Sequence, residues 1–403
     1  MHPFPALFAL DHPLWQAAHR PLFLGAGLAA LLAPAVWLWP GGFGADPAFW
    51  HLHELLFGMG GAAVGGYLLT ALPSWTGAGP AAPQIVRALT LLWILARLAM
   101  LWSGILPFGV LLPLALGYVA ALALVMARAL VAAGAWSRLW SVAAVAGLML
   151  GDALVLAEAR GIVEAPEAAL GIVLVFATLI GLIGGRAVPA FTISWLQHEG
   201  IRRRVRDSRG LAALAVGATA LGGGLALGGF PGTTGACLLL AGVLHGARMA
   251  GWQSVRARRY PALFMLHLAW AWLPLGLILL GFALLCPQGL PRAAALHALT
   301  MGAMGSMILA IAGRAAMRRH GRRLIAGRGL VLAFALVLLA ALLRVAAPIV
   351  PAGWPDPVIA SAALWMLGWA VFLWAFRPAL RGPVPWPVLS ARLQETGAGR
   401  RPE

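Results

Sequence analysis

Apolar residues run in blocks of about twenty, separated by short polar or proline-rich breaks, with no strict two-residue alternation anywhere along the chain. A helix of ~20 apolar residues crosses ~30 Å of hydrocarbon while satisfying its own backbone, so each block predicts a membrane-spanning helix. About twelve such spans are expected, near 21–40, 50–73, 84–104, 107–128, 138–158, 168–195, 210–230, 233–253, 261–285, 293–314, 329–350 and 357–377. The fold class is therefore an all-α polytopic membrane bundle. A short arm (1–20) precedes the membrane domain (21–377), and an Arg/Pro-rich tail (378–403) follows it.

Composition agrees: of 403 residues, 62% are hydrophobic and only 10% charged. A water-facing surface needs about a quarter charged residues, which excludes a soluble domain. The net charge of +17 raises nucleic acid as a partner, but the arginines sit in alternate loops. Arg202, Arg203, Arg204, Arg206 and Arg209 follow the sixth span, Arg256, Arg258 and Arg259 the eighth, and Arg318, Arg319, Arg322, Arg323 and Arg328 the tenth. The intervening loops are nearly bare, so the pattern reads as positive-inside topology, with both termini cytoplasmic and even-numbered spans starting at the outer face. The expected partner is the lipid bilayer, not nucleic acid. Lysine is absent, a mark of genomic composition. Cys237 and Cys286 are too few for a disulfide framework or an iron–sulfur cluster and are expected as unpaired thiols. Met1 to Arg20 lacks the pattern of a cleavable leader, and its histidines His2, His12 and His19 are expected to be solvated.

Candidate chemistry concentrates where polar side chains enter these apolar blocks. Trp50 to Gly61 places His51, His53 and Glu54 at the head of the second span, followed by a small-residue stripe of Gly58, Ala62, Gly65 and Gly66 that admits a neighbouring backbone or a flat cofactor. On a regular helix residues 51 and 53 lie ~200° apart, so they cannot face one metal. Glu54 is placed to orient His51 as a carboxylate behind a ligand, and His53 is expected to turn towards another helix, with His297 at equal depth as its companion. His297, Met301 and Met304 share a face of the tenth span; imidazole with thioether suits reduced copper and also haem iron. Met301 and Met304 read equally as packing filler.

Intramembrane charges need partners. Arg97 and Asp152 lie at similar depth, as an ion pair or with Arg97 serving the carboxylate of a bound cofactor. Arg344 has no acidic partner on its own span and is an anion-binding candidate. In the run Gly185-Arg186-Ala187-Val188-Pro189, the proline frees a backbone carbonyl that Arg186 is expected to meet, unless it snorkels to the interface. His245, Arg248 and His267 sit in the inner half of the eighth and ninth spans, with the two histidines ~12 and ~9 Å from the inner boundary, where they can share a site or be separate core residues.

Four stretches together resemble the NnrS family of multi-spanning bacterial membrane proteins: His51-Leu52-His53-Glu54-Leu55-Leu56-Phe57-Gly58, Pro73-Ser74-Trp75-Thr76-Gly77, Gly185-Arg186-Ala187-Val188-Pro189-Ala190-Phe191-Thr192 and Leu296-His297-Ala298-Leu299-Thr300-Met301-Gly302. The resemblance covers about residues 12 to 377. It implies haem and copper as cofactors, nitric oxide or a related small gaseous or redox molecule as ligand, protection from nitrosative stress as role, and the bacterial inner membrane as location. It does not assign ligands; depth and spacing nominate His51, His53, His297, His245 and His267 for metal, and Glu54, Arg97, Arg186, Arg344 and Met301 around a cofactor. A twelve-helix secondary transporter explains the span count equally well, but no broken-helix pair stands in corresponding halves. A haem–copper oxidase or nitric-oxide reductase subunit fits less well, since the chain has no His-His pair.

Overall fold

The computed structural model describes residues 9–38, 46–321, 323–351 and 356–390. His2, Trp39 and Pro40 lie outside them. Twelve long helices occupy the predicted blocks: α1 (His19–Leu32), α2 (Pro47–Thr76), α3 (Pro83–Leu101), α4 (Phe108–Ala132), α5 (Trp140–Ala159), α6 (Ala168–His198), α7 (Arg209–Leu227), α8 (Pro231–Ala250), α9 (Pro261–Leu285), α10 (Arg292–Ala316), α11 (Arg328–Ala346) and α12 (Pro357–Phe376). Local chemistry sets their starts. Proline occupies the first turn of α2, α3, α8, α9 and α12, where a missing N–H is harmless. Asp46 and Asp356 accept hydrogen bonds from the free N–H groups of Phe49 (2.9 Å) and Val358 (2.7 Å). The only strands among the described residues form a hairpin, β1 (Arg318–His320) with β2 (Arg323–Ile325), between α10 and α11.

Eleven of these segments are long and apolar enough to cross a membrane. The exception, α8, is diluted by glycine, His245 and Arg248, yet runs antiparallel along α9 for its whole length. A Cβ on Gly235 would meet Leu285 at 2.8 Å, and one on Gly242 would meet the Pro274 carbonyl at 2.8 Å. It therefore extends through the same slab as its neighbours.

The bundle has a centre. In α2, α6 and α10, 72% of the most apolar stretch is buried, against 28–39% in α3–α5, α7, α11 and α12. Both α2 and α10 depart from α geometry immediately after a histidine: Glu54–Gly60 and Ala298–Gly305 are π-helical. Such segments are rare, and occur most often at functional sites because they re-aim side chains. The small-residue stripe of α2 is occupied by protein. Cβ atoms on Gly65 and Gly66 would meet the Tyr118 hydroxyl and the Phe23 ring (2.8 Å), so aromatic side chains, not a flat cofactor, fill it.

The arginine-rich loops gather at one end, with the hairpin and the tail. His19 is buried there, contrary to the expectation of solvation, and Arg20 donates to the carbonyls of Pro13 (2.6 Å) and Gly382 (2.6 Å), tying the arm to the tail. Cys237 and Cys286 are free, as expected. Two large cavities, of about 460 and 550 Å3, open near the arginine-poor and arginine-rich ends respectively.

Candidate functional site

At the arginine-poor end the starts of α2, α10 and α12 meet the ends of α1 and α11 around the 460 Å3 cavity. His51 reaches it from α2 with its ring against Trp37 (centroids 5.8 Å apart), and His297 reaches it from α10. His297 Nδ1 lies 2.6 Å from the Ala293 carbonyl. A carbonyl only accepts, so Nδ1 carries the proton and the lone pair stays on Nε2, the arrangement that orients a metal-ligating imidazole. His51 Nδ1 is buried and has no partner among the described residues. Other polar groups on the wall are already committed: Thr300 donates to the Leu296 carbonyl (3.0 Å), Ser361 to Ala340 (2.8 Å) and Trp365 to Ala30 (2.8 Å). Arg344 lines the same space and acts electrostatically on both imidazoles. Among the described residues it makes no hydrogen bond or close ion pair, and the acidic group that acts on it electrostatically is Asp356 at the start of α12. Met301 and Met304 face this cavity on the side of His297, as their spacing predicted, joined by Met59 from α2.

His53 points elsewhere, which bears out the argument from helical angle, but its partners differ from those expected. Its Nε2 lies 2.9 Å from Asp152 on α5, and its Nδ1 lies 3.3 Å from Glu54. Glu54 in turn accepts from Arg97 on α3 (2.6 Å). The companion of His53 is thus Asp152, not His297, and Glu54 serves His53 and Arg97, not His51. The physical reason is charge pairing: each buried carboxylate takes the nearest cation or donor. Arg97 and Asp152 belong to one network, as their shared depth suggested, but are bridged by Glu54 and His53 and not paired directly. With both ring nitrogens facing carboxylates, His53 has no lone pair left for a metal unless a proton moves onto an acid. Gly58 makes room for the network, since a Cβ there would sit 3.0 Å from Glu54 and 3.1 Å from Arg97.

At the arginine-rich end the polar residues bond mainly to one another inside closed packing, although His245 Nδ1, Arg248 Nη1 and the Trp252 and Trp270 indole nitrogens have no hydrogen-bond partner among the described residues. His267 bonds Thr192 (2.9 Å) through Nε2 and Ser254 (2.9 Å) through Nδ1. His245 bonds Thr219 (3.2 Å), and its ring stands edge-on to Trp270 (5.5 Å). Trp252 and Trp270, in contact at 4.7 Å, stack between the two histidines, which share no site. Pro189 does free the Gly185 carbonyl one turn earlier, but Arg248 occupies it (2.9 Å) while also pairing with Asp207 (3.1 Å). Arg186 is exposed and lies over the Trp140 ring (5.7 Å), because its position on α6 faces away from α8.

Several elements escaped sequence reasoning. The two π segments have no compositional signature, and the Asp152–His53 bond joins residues 99 positions apart. The Glu54/Gly58 spacing and the Pro189/Gly185 offset were visible signals of close approach and of a free carbonyl. Among the described residues no group of three or more His, Cys, Asp or Glu is arranged to hold a metal ion. The open groups that border the cavity are the two imidazoles, the thioethers and Arg344.

No curated protein matches the chain. The NnrS family model, described as NnrS protein, matches residues 13–383, nearly the whole length and including every residue of the cavity wall. The chain belongs to the NnrS family and is a membrane protein related to nitric-oxide response.

Proposed function

We propose that this protein binds haem in the cavity at the arginine-poor end, in the inner membrane of a bacterium, and uses it to handle nitric oxide under nitrosative stress. One observation carries the reading: His51 and His297, on different central helices, each bring an imidazole with an uncommitted nitrogen to one cavity of about 460 Å3. That volume lies in the range of cofactor pockets. The rest of the wall suits a porphyrin, with Leu52, Leu55, Leu56 and Val173 as apolar faces and Arg344 as a cation for a propionate. Bound there, haem would supply an iron centre able to take nitric oxide.

The protein's own contribution is placement. Ala293 holds His297 in the tautomer with its lone pair on Nε2. The Asp152–His53–Glu54–Arg97 network clamps the head of α2 to α3 and α5, which fixes the helix on which His51 stands. The apolar wall excludes water from the space between the imidazoles. For copper the fit is poorer: the two imidazoles are already assigned to haem, the Met59, Met301 and Met304 thioethers line that same cavity, no second group of His, Cys, Asp or Glu converges among the described residues, and we derive no copper step.

An optical spectrum of the purified protein tests the proposal, with haem and copper quantified per folded molecule in His51→Ala and His297→Ala. Haem bands in the parent and their loss in both variants support it. Full haem content in both variants would move the site elsewhere.

A further inference from the structure

The 460 Å3 cavity is the first of three that follow one another along the bundle. Beneath it, among α2, α6 and α10, lies a narrow space of about 70 Å3, and beneath that the 550 Å3 cavity of the opposite end. Their walls are continuous along the same helices. On α2, Leu55 and Met59 face the first space, Ala63 and Val64 the second, Thr70 and Ser74 the third. On α6 the order is Val173, then Leu179 and Ile183, then Ala187 and Phe191. On α10 it is Thr300, then Met307 and Ile308, then Arg314. Shared wall residues mark the junctions. Met304 belongs to both the first wall and the second, and Tyr67 and Ile311 to both the second and the third.

The middle space differs in kind from the ends. Apart from the Tyr67 hydroxyl its wall is hydrocarbon, thioether and backbone, whereas the third space carries Arg314, Thr70, Ser74 and the tail from Trp386 to Ser390. A volume of about 70 Å3 exceeds the ~10–15 Å3 that one water-sized molecule needs, but an apolar cavity stays dry because it offers water no partners. Ions and protonated water pay the full cost of desolvation in such a stretch, and a small uncharged molecule does not.

We infer that the three cavities form an internal conduit through which a small, uncharged, apolar molecule passes between the arginine-rich end and the imidazole cavity, with Met304 and the Tyr67–Ile311 pair as its gates. The conduit stands on the cavity geometry; that its cargo is nitric oxide rests on the proposed function. Met304 is unbranched and adapts its shape easily, which suits a gate opened by side-chain rotation without helix movement.

The experiment uses full-length protein in lipid nanodiscs with two readouts. Xenon occupancy, followed by 129Xe NMR or xenon-derivatised diffraction, is expected in the middle space of the parent and of Val64→Ala, and is lost in Val64→Phe, whose ring fills that space. Ile308→Phe fills it from α10 and replaces Val64→Phe if the latter does not fold. In haem-loaded protein, carbon monoxide recombination after photolysis is expected to slow roughly tenfold in the filled variants, since escape and return then require local opening. The xenon readout needs no haem, so a haem-free protein that takes xenon sinks the proposed function and leaves the conduit standing. Absence of xenon from the parent, an ordered acyl chain in its place, or unchanged recombination in a folded, haem-loaded filled variant overturns the conduit.

Discussion

Each end of the bundle carries two histidines and an arginine, and the two sets differ in what surrounds them: closed packing at the arginine-rich end and a cavity at the other. At the arginine-rich end His267 is bonded at both nitrogens, His245 is packed against Trp270, and Arg248 is held by Asp207 and the Gly185 carbonyl under two indole rings. At the arginine-poor end His51, His297 and Arg344 face a cavity with capacity unused. A buried polar group without a partner costs about 1–3 kcal/mol, so protein interiors keep few of them. Both sets keep orphaned atoms, His245 Nδ1 in the first and His51 Nδ1 in the second, but only the second borders a cavity of about 460 Å3 in which a ligand can meet the demand.

The largest contrast should appear in cofactor retention. His297→Ala and His51→Ala are expected to remove nearly all haem from folded protein, while His267→Ala retains it, as read by pyridine haemochrome spectra. Retention in the first two with loss in the third would reverse the assignment of the ends. Next is stability at the network beside the cavity. Asp152→Ala leaves His53 and Glu54 buried with their charges unbalanced and is expected to cost ~3–5 kcal/mol, measured by reversible unfolding in mixed micelles. A change below 1 kcal/mol, on the scale of surface pairs, would show that the network is not closed.

Arginines at the other end offer a smaller, internal comparison. Arg248→Ala should lose roughly 2–3 kcal/mol for its charged hydrogen bonds, whereas Arg186→Ala should lose no more than ~1 kcal/mol, the worth of an exposed cation over a ring. Equal losses would mean that the freed Gly185 carbonyl is of no consequence. Smaller still is the propionate effect: Arg344→Ala is expected to lower haem content a few-fold, as for one exposed-edge charge pair, and the surface-facing Arg128→Ala not at all. Sidedness itself is checked by cysteine-accessibility labelling at position 204, expected to react only from the cytoplasmic side; labelling from outside would invert the bundle and both of its ends.

How much of this was legible beforehand depends on the range of the interaction. Hydrophobic blocks located every long helix, including α8, and placed all the bounds to within about four residues except the end of α1, because a membrane span is a local property of composition and length. The ~200° separation of residues 51 and 53 required that they face different neighbours, and they do. The identity of those neighbours was not legible. The pairing of His53 with Asp152, of Glu54 with Arg97 and of Gly185 with Arg248 depends on which helices lie side by side and how each is rotated. Periodicity along one segment carries neither.

The chain's linear order thus dictated a bundle, its depth markers and the candidates at each depth, since transfer from water to lipid acts on each segment independently. Three-dimensional packing chose among the candidates. It left His51 and His297 open to one cavity, closed His53 and His267 with protein partners, packed His245 between Thr219 and Trp270, turned Arg186 outward, and aligned three cavities along α2, α6 and α10. Those outcomes follow from helix rotation and the two π segments, which only simultaneous contact among many helices can set.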